Sequence, residues 1–231
     1  MSSSRSVRLW LCVLNTLLSA GVAAQAPQVA APQQPSSAPA ATPADSSYSR
    51  LVDRLKAGDR TVDFTELRMA FTETPAYTGT MMGFYRPLWN TLNSRDFEGA
   101  LKVVETVLQL NYAEPNAHMV ASIAHGQLGR QQESQFHRFV ADGLLRSVMA
   151  QGDGKTEQTA YHVIDISEEY AVFRALNLTP KGQGASIPKD GEPILDRMTV
   201  VDNQKKEERT MYFAVENKLS LAKKRAAAPP Q

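Results

Sequence analysis

From about Met82 to Val148 apolar residues recur at helical spacing almost without interruption, and a 34-residue offset runs through the pattern. The turn at Asp96-Phe97 with Ala100 aligns with Arg130-Gln131 and Ser134. Ala121, Ser122 and Ala124 fall where a helix needs small residues for close packing. Repeated helix pairs bury their apolar faces only against a neighbouring layer, so two pairs alone leave a wide face in water. A chain built this way must supply its own cover.

The offset resembles tetratricopeptide-type helix hairpins in degenerate form, because Gln131 and Ser134 stand where an aromatic residue and an alanine are usual. Two shorter helices precede it. Leu51 and Leu55 share a face in SYSRLVDRLKAGD, which Gly58 and Asp59 stop. Asp63 with Glu66 forms a capping-box pattern ahead of Phe64, Leu67, Ala70 and Phe71. The C-terminal part supplies the cover. TAYHVIDIS alternates as a strand, and SEEYAVFRALNL is a helix capped by Ser167 that buries Tyr170, Phe173 and Leu176. KGQGASIPKDGEP reads as a loop, and ILDRMTVVD with RTMYFAVE reads as an antiparallel hairpin. The expected class is α+β: mainly helical, with tetratricopeptide-like hairpins followed by a small antiparallel sheet.

The ends carry no such pattern. Residues 1–24 combine Arg5 and Arg8, an apolar run and small residues before Ala24, which predicts a cleaved secretory signal. That run is shorter than the roughly 20 residues that span a bilayer, so no stable membrane insertion is expected once it is removed. Residues 25–47, rich in Pro, Ala, Gln and Ser, cannot bury enough apolar area to offset backbone entropy and read as a disordered linker. A single domain over 48–221 and a flexible tail over 222–231 complete the division. The expected location is periplasmic or extracellular. The one cysteine, Cys12, lies in the signal, so the mature chain has neither disulfides nor a thiolate nucleophile. A formal net charge of +1 leaves no field to attract nucleic acid.

Chemistry-bearing motifs are sparse. GDGKT at 152–156 looks like the end of a phosphate loop. A Walker loop, however, needs a glycine where Met149 stands, a strand before it and a helix after it, and the order here is reversed. A calcium loop fails at Met149 and Gln151. No cofactor is expected, and Lys155 reads as a solvated charge. His118 and His125 lie two helical turns and about 10 Å apart, too far to share an ion, with His137 on the next helix and His162 on a strand. No metal site is expected. There is no serine elbow. Asp165, Glu168 and Glu169 form the densest acidic group, and the two glutamates suit the positive end of a helix.

FVADGLLRSVMAQGDGKTEQTAYHVIDISEEYAVFRALNL, with TMYFAVE further on, resembles the family called domain of unknown function 4919, found in exported bacterial proteins. The matching positions are Gly152, Asp153, Gly154 and Lys155; Ala160, His162, Val163 and Ile164; Glu169 and Tyr170; and Tyr212 and Phe213. Many members of the family carry histidine before the Glu-Tyr pair, where this chain has Glu168. The resemblance implies no activity and no catalytic residue. Candidate binding residues are Asp153, Lys155, His162, Glu168, Glu169 and Tyr170. The expected function is a non-enzymatic module for a protein or peptide partner. The alternative is a hydrolase of an envelope or host substrate using Asp153, His162, Glu168 and Glu169.

Overall fold

The computed structural model describes residues 46–77, 82–186, 192–216 and 220–221. The signal segment, the linker as far as residue 45, and the tail lie outside the described residues. Among them the order is α1 (Ser47–Lys56), α2 (Phe64–Phe71), α3 (Met82–Asn93), α4 (Phe97–Leu110), α5 (Pro115–Gln127), α6 (Gln131–Met149), β1 (Tyr161–Val163), α7 (Ile166–Ala175), β2 (Leu178–Ala185), β3 (Ile194–Asp202) and β4 (Glu208–Val215).

Local chemistry fixes most helix boundaries. Ser46, Asp63 and Asp96 accept hydrogen bonds from first-turn N–H groups of α1, α2 and α4, satisfying donors the helix cannot. Gly58 has φ +89°, a left-handed conformation that ends α1. The two positions aligned by the 34-residue offset, Phe97 and Gln131, are the first residues of α4 and α6. Helix α7 is capped by Asp165, whose carboxylate takes the Ser167 N–H at 2.7 Å, and not by Ser167 as the sequence suggests. The Ser167 hydroxyl instead donates to Glu114 Oε2 at 2.6 Å. A carboxylate is the stronger acceptor, and its placement frees the hydroxyl for a long-range bond.

Helices α3 to α6 pack in sequence as antiparallel neighbours, and α6 ties the domain together. Val140 and Leu144 of α6 belong to a core with α1 and α2, while Val148 at its end belongs to the core beneath the sheet. Gly143 lets α6 approach α2 closely, since a Cβ there would meet the Phe64 ring. A third core, around Leu88, Val104, Val107 and Val120, fills the α3–α4–α5 layer.

The sheet has the order β1-β4-β3-β2. The β3–β4 hairpin pairs antiparallel as expected, with Met198 opposite Met211. Two features correct the sequence reading. First, β1 pairs parallel to β4, Tyr161 opposite Phe213, so the sheet is mixed and not purely antiparallel. A parallel pairing needs a long connection, which α7, β2 and β3 provide. Second, α7 ends at Ala175, and strand β2, antiparallel to β3 with a register shift between Pro180 and Gly182, runs from Leu178, read as helix, through 181–185, read as loop. Pro and two glycines are tolerated because β2 is an edge strand, and the bulge leaves Lys181 without an opposite residue on β3.

Candidate functional site

The six candidate residues distribute over four separate environments. Asp153 and Lys155 sit on the loop after α6. There the Asp153 carboxylate accepts from Lys155 N–H, from the Thr159 hydroxyl and from Lys155 Nζ at 2.8 Å. Hydrogen bonds from Lys155 and then Thr159 hold its carboxyl well below the usual range. The N–H groups of Asp153 and Gly154 both point at the Thr159 carbonyl, and the Gly154 carbonyl takes the Tyr212 N–H of β4. Gly154 has φ +65°, and a Cβ would lie 2.6 Å from the Tyr161 ring, so only glycine serves here. The loop commits these amides to its own oxygens and its Gly154 carbonyl to the sheet, leaving no nest for a phosphate.

Around the start of α7 lies a buried polar core. Glu168, 1% exposed, receives two 2.7 Å hydrogen bonds from the guanidinium of Arg68 on α2, also 1% exposed, and a third from Ile164 N–H. Arg68 further donates to the His162 carbonyl. Glu168 and Arg68 thus form a buried ion pair. The His162 ring is half-exposed and faces Glu216 at 3.4 Å, and Glu216 also accepts from Ser220.

Glu169, 0% exposed, has no hydrogen-bond partner for either carboxylate oxygen as an anion. Burial, followed by the neighbouring Asp196 and Asp165 charges, pushes its carboxyl up to about 9. It is therefore a neutral acid at physiological pH, able to donate to Asp196, which is 2% exposed and takes a 2.5 Å hydrogen bond from Gln183. Glu114 shifts in the same direction but less far: burial lifts it to about 7 against the hydrogen bonds from Ser167 and Asn116. One proton shared between two facing carboxyls is the arrangement used in acid–base dyads. This pair, however, is enclosed between α7 and the inner face of β3.

Tyr170 lines a surface cleft. Its ring lies 4.8 Å from Tyr85 of α3, at the mouth of a hollow between α3, α7 and the start of β2. Among the six, the only hydrogen-bond or ion-pair link is Asp153 with Lys155.

The histidines are brought together as spacing along one helix could not show. His137 of α6 lies between His118 and His125 of α5, 5.1 and 5.4 Å from them by ring centroid. His118 Nε2–H donates to the Tyr112 carbonyl, so its Nδ1 accepts from His137 Nδ1–H at 2.9 Å. Burial, then His137, lowers His118 to about 3; burial, then His125, lowers His137 to about 4. Both rings are neutral above mildly acidic pH. Among the described residues no three His, Cys, Asp or Glu side chains could hold a metal ion. His125 and His137 instead form one end of an open groove.

That groove runs between α4 and α1 and on to the α5–α6 pair. It consists of hollows of about 420 and 300 Å³ that share Lys56, Leu108, Gln109 and Tyr112. Leu101, Val104 and Leu108 form an apolar floor. Lys56 lies over the Tyr112 ring at 4.9 Å, and neither Lys56 nor Glu105 has an ion-pair partner among the described residues.

Sequence reasoning missed Arg68, Glu114 and Asp196. A signal existed for the first: Arg68 adjoins Leu67 and lies one turn before Phe71, on a face otherwise buried. A charge set in an apolar stripe demands a partner.

The family described as Domain of unknown function (DUF4919) matches residues 40–224, so the chain belongs to that family. No curated protein and no solved structure matches the chain.

Proposed function

We propose that this member of the Domain of unknown function (DUF4919) family is an exported, non-catalytic binding module. Its tetratricopeptide-like helix hairpins hold an extended peptide segment of an envelope partner. The observation that carries the reading is the groove between α1, α4 and the α5–α6 pair: hollows of about 420 and 300 Å³ over an apolar floor, with Lys56 and Glu105 on the rim and no ion-pair partner for either among the described residues. Such a rim favours a peptide with an apolar centre, an acidic residue toward Lys56 and a basic residue toward Glu105. Binding is supported over hydrolysis by the positions of the polar side chains. Glu168 is committed to Arg68, Glu169 is enclosed with Asp196, and Asp153 is tied to Lys155 and Thr159.

A random peptide library panned on the folded domain tests this. Enriched sequences should have an acidic residue on one side of an apolar centre, lose binding to Leu108→Glu, and exchange acidic for basic preference on Lys56→Glu. Enrichment that is identical on all three proteins would eliminate the groove as the binding surface.

A further inference from the structure

The hollow beside Tyr170 has a volume of about 390 Å³, at the small-ligand end of the usual range, and is independent of the groove. One wall is aromatic: Tyr85, Tyr170 and Phe173. Above it the Arg174 guanidinium stacks on the Trp89 ring at 3.3 Å and donates to the Tyr85 hydroxyl at 3.1 Å. Stacking on one face and a hydrogen bond at one nitrogen fix the plane of this exposed side chain before any ligand arrives. No carboxylate lines the hollow, and among the described residues none pairs with Arg174.

The opposite wall is built from Asn177, Thr179 and Asn203. The Thr179 hydroxyl donates to Asn203 Oδ1, Asn203 Nδ2 donates to Asn177 Oδ1, and Asn203 N–H donates to the Asn177 carbonyl. These bonds engage the amide oxygens, and the side-chain N–H groups of Asn177 have no partner among the described residues. The Tyr170 hydroxyl likewise has no partner among the described residues. The groups remaining for a ligand are therefore mostly donors, with a single formal positive charge. Asn177 has φ +53°, a conformation that asparagine tolerates better than most residues, and it turns the chain so that this wall faces the aromatic one.

We infer that the hollow is a binding site for a small carboxylate with a ring body: the ring lies against Tyr85 and Tyr170, and the carboxylate takes the free N–H groups of Arg174 with the Asn177 amide. An oriented guanidinium with no competing acid suits a planar two-oxygen anion. The rings suit a flat or cyclic body and would be left uncovered by a bare ion.

The test is titration of the whole protein with sodium benzoate and sodium glucuronate, read by amide and Trp89 indole NMR shifts. Benzamide and glucose serve as uncharged counterparts, and acetate and inorganic phosphate as bodiless anions. The expected result is saturable binding of at least one ring carboxylate below about 10 mM. Shifts should centre on Trp89, Tyr170 and Asn177, and affinity should be at least about tenfold weaker for the uncharged counterpart, acetate and phosphate. Arg174→Gln should remove the binding at unchanged melting temperature, and Arg174→Lys should restore only part of it. Three results would overturn the inference: no saturation by either ring carboxylate, equal binding of the uncharged counterparts or of phosphate, or retention of affinity in Arg174→Gln. Failure here leaves the peptide groove untouched, because the two sites share no residue.

Discussion

The α5–α6 hairpin and the α7–sheet region bury ionisable groups in opposite senses. The first holds bases neutral: His118 and His137 lie below their ordinary value of 6.5, at about 3 and about 4. The second holds an acid neutral: Glu169 lies above 4.5, at about 9, and Glu114, which caps α5 and reaches Ser167 of α7, is lifted in the same direction to about 7. Beside them Glu168 pairs with the Arg68 guanidinium. Burial is the leading cause of both shifts, so the contrast lies in which protonation state each region excludes. For a depressed base, stability is present above 6.5 and lost as pH falls toward the folded value. For a raised acid, it is present below 4.5 and lost as pH rises through the folded value. Between about 4.5 and 6.5 the two regions oppose each other, which flattens the stability profile.

Four measurements would break or sharpen that contrast. Arg68→Met should have the largest effect, a loss of about 3–5 kcal/mol in urea unfolding, because it strands a buried carboxylate. Arg68→Met with Glu168→Leu should recover most of it. A single-variant loss under about 1 kcal/mol would mean the pair is far more hydrated than its geometry indicates. Next, Glu169→Gln should remove a downward slope approaching about 1.4 kcal/mol per pH unit on the alkaline side, seen as a gain relative to wild type between pH 7 and 9. If wild type and variant run parallel there, Glu169 is not held protonated. His137→Gln should flatten the acid side between about pH 6.5 and 4, by a smaller amount because His118 retains its own slope. Unchanged acid unfolding in this variant would detach the histidine row from the contrast. Smallest, Asp96→Ala should cost about 1 kcal/mol with no change in either slope, since this cap on α4 belongs to neither cluster.

Much of the helical part was legible because its signals are local. Asp63 and Asp96 are recognisable caps, Leu51 with Leu55 is a one-turn spacing, and the 34-residue offset marked two real helix starts. The sheet was legible where alternation shows, in β1 and in the β3–β4 hairpin with its polar turn. Strand β2 was hidden because LTPKGQGA has neither alternation nor β-branched content beyond Thr179, and its strand character comes from pairing with β3. The six candidate residues were found by acidic density and family likeness, which locate them in the chain but not in space. Four of them turned out to be committed to partners or enclosed, and the sequence had no way to name Arg68 or Asp196 as those partners.

The sequence by itself determined where most of the helices begin, because caps, glycine conformations and i, i+4 contacts are all encoded within a few residues. Only the tertiary structure decided that Arg68 meets Glu168 a hundred residues away, that His137 lies between two histidines of another helix, and that Arg174 faces Asn177 and Asn203 across a hollow. These contacts depend on how the helices and the sheet pack, and burial in that packing, not the identity of each residue alone, sets which of them carries charge.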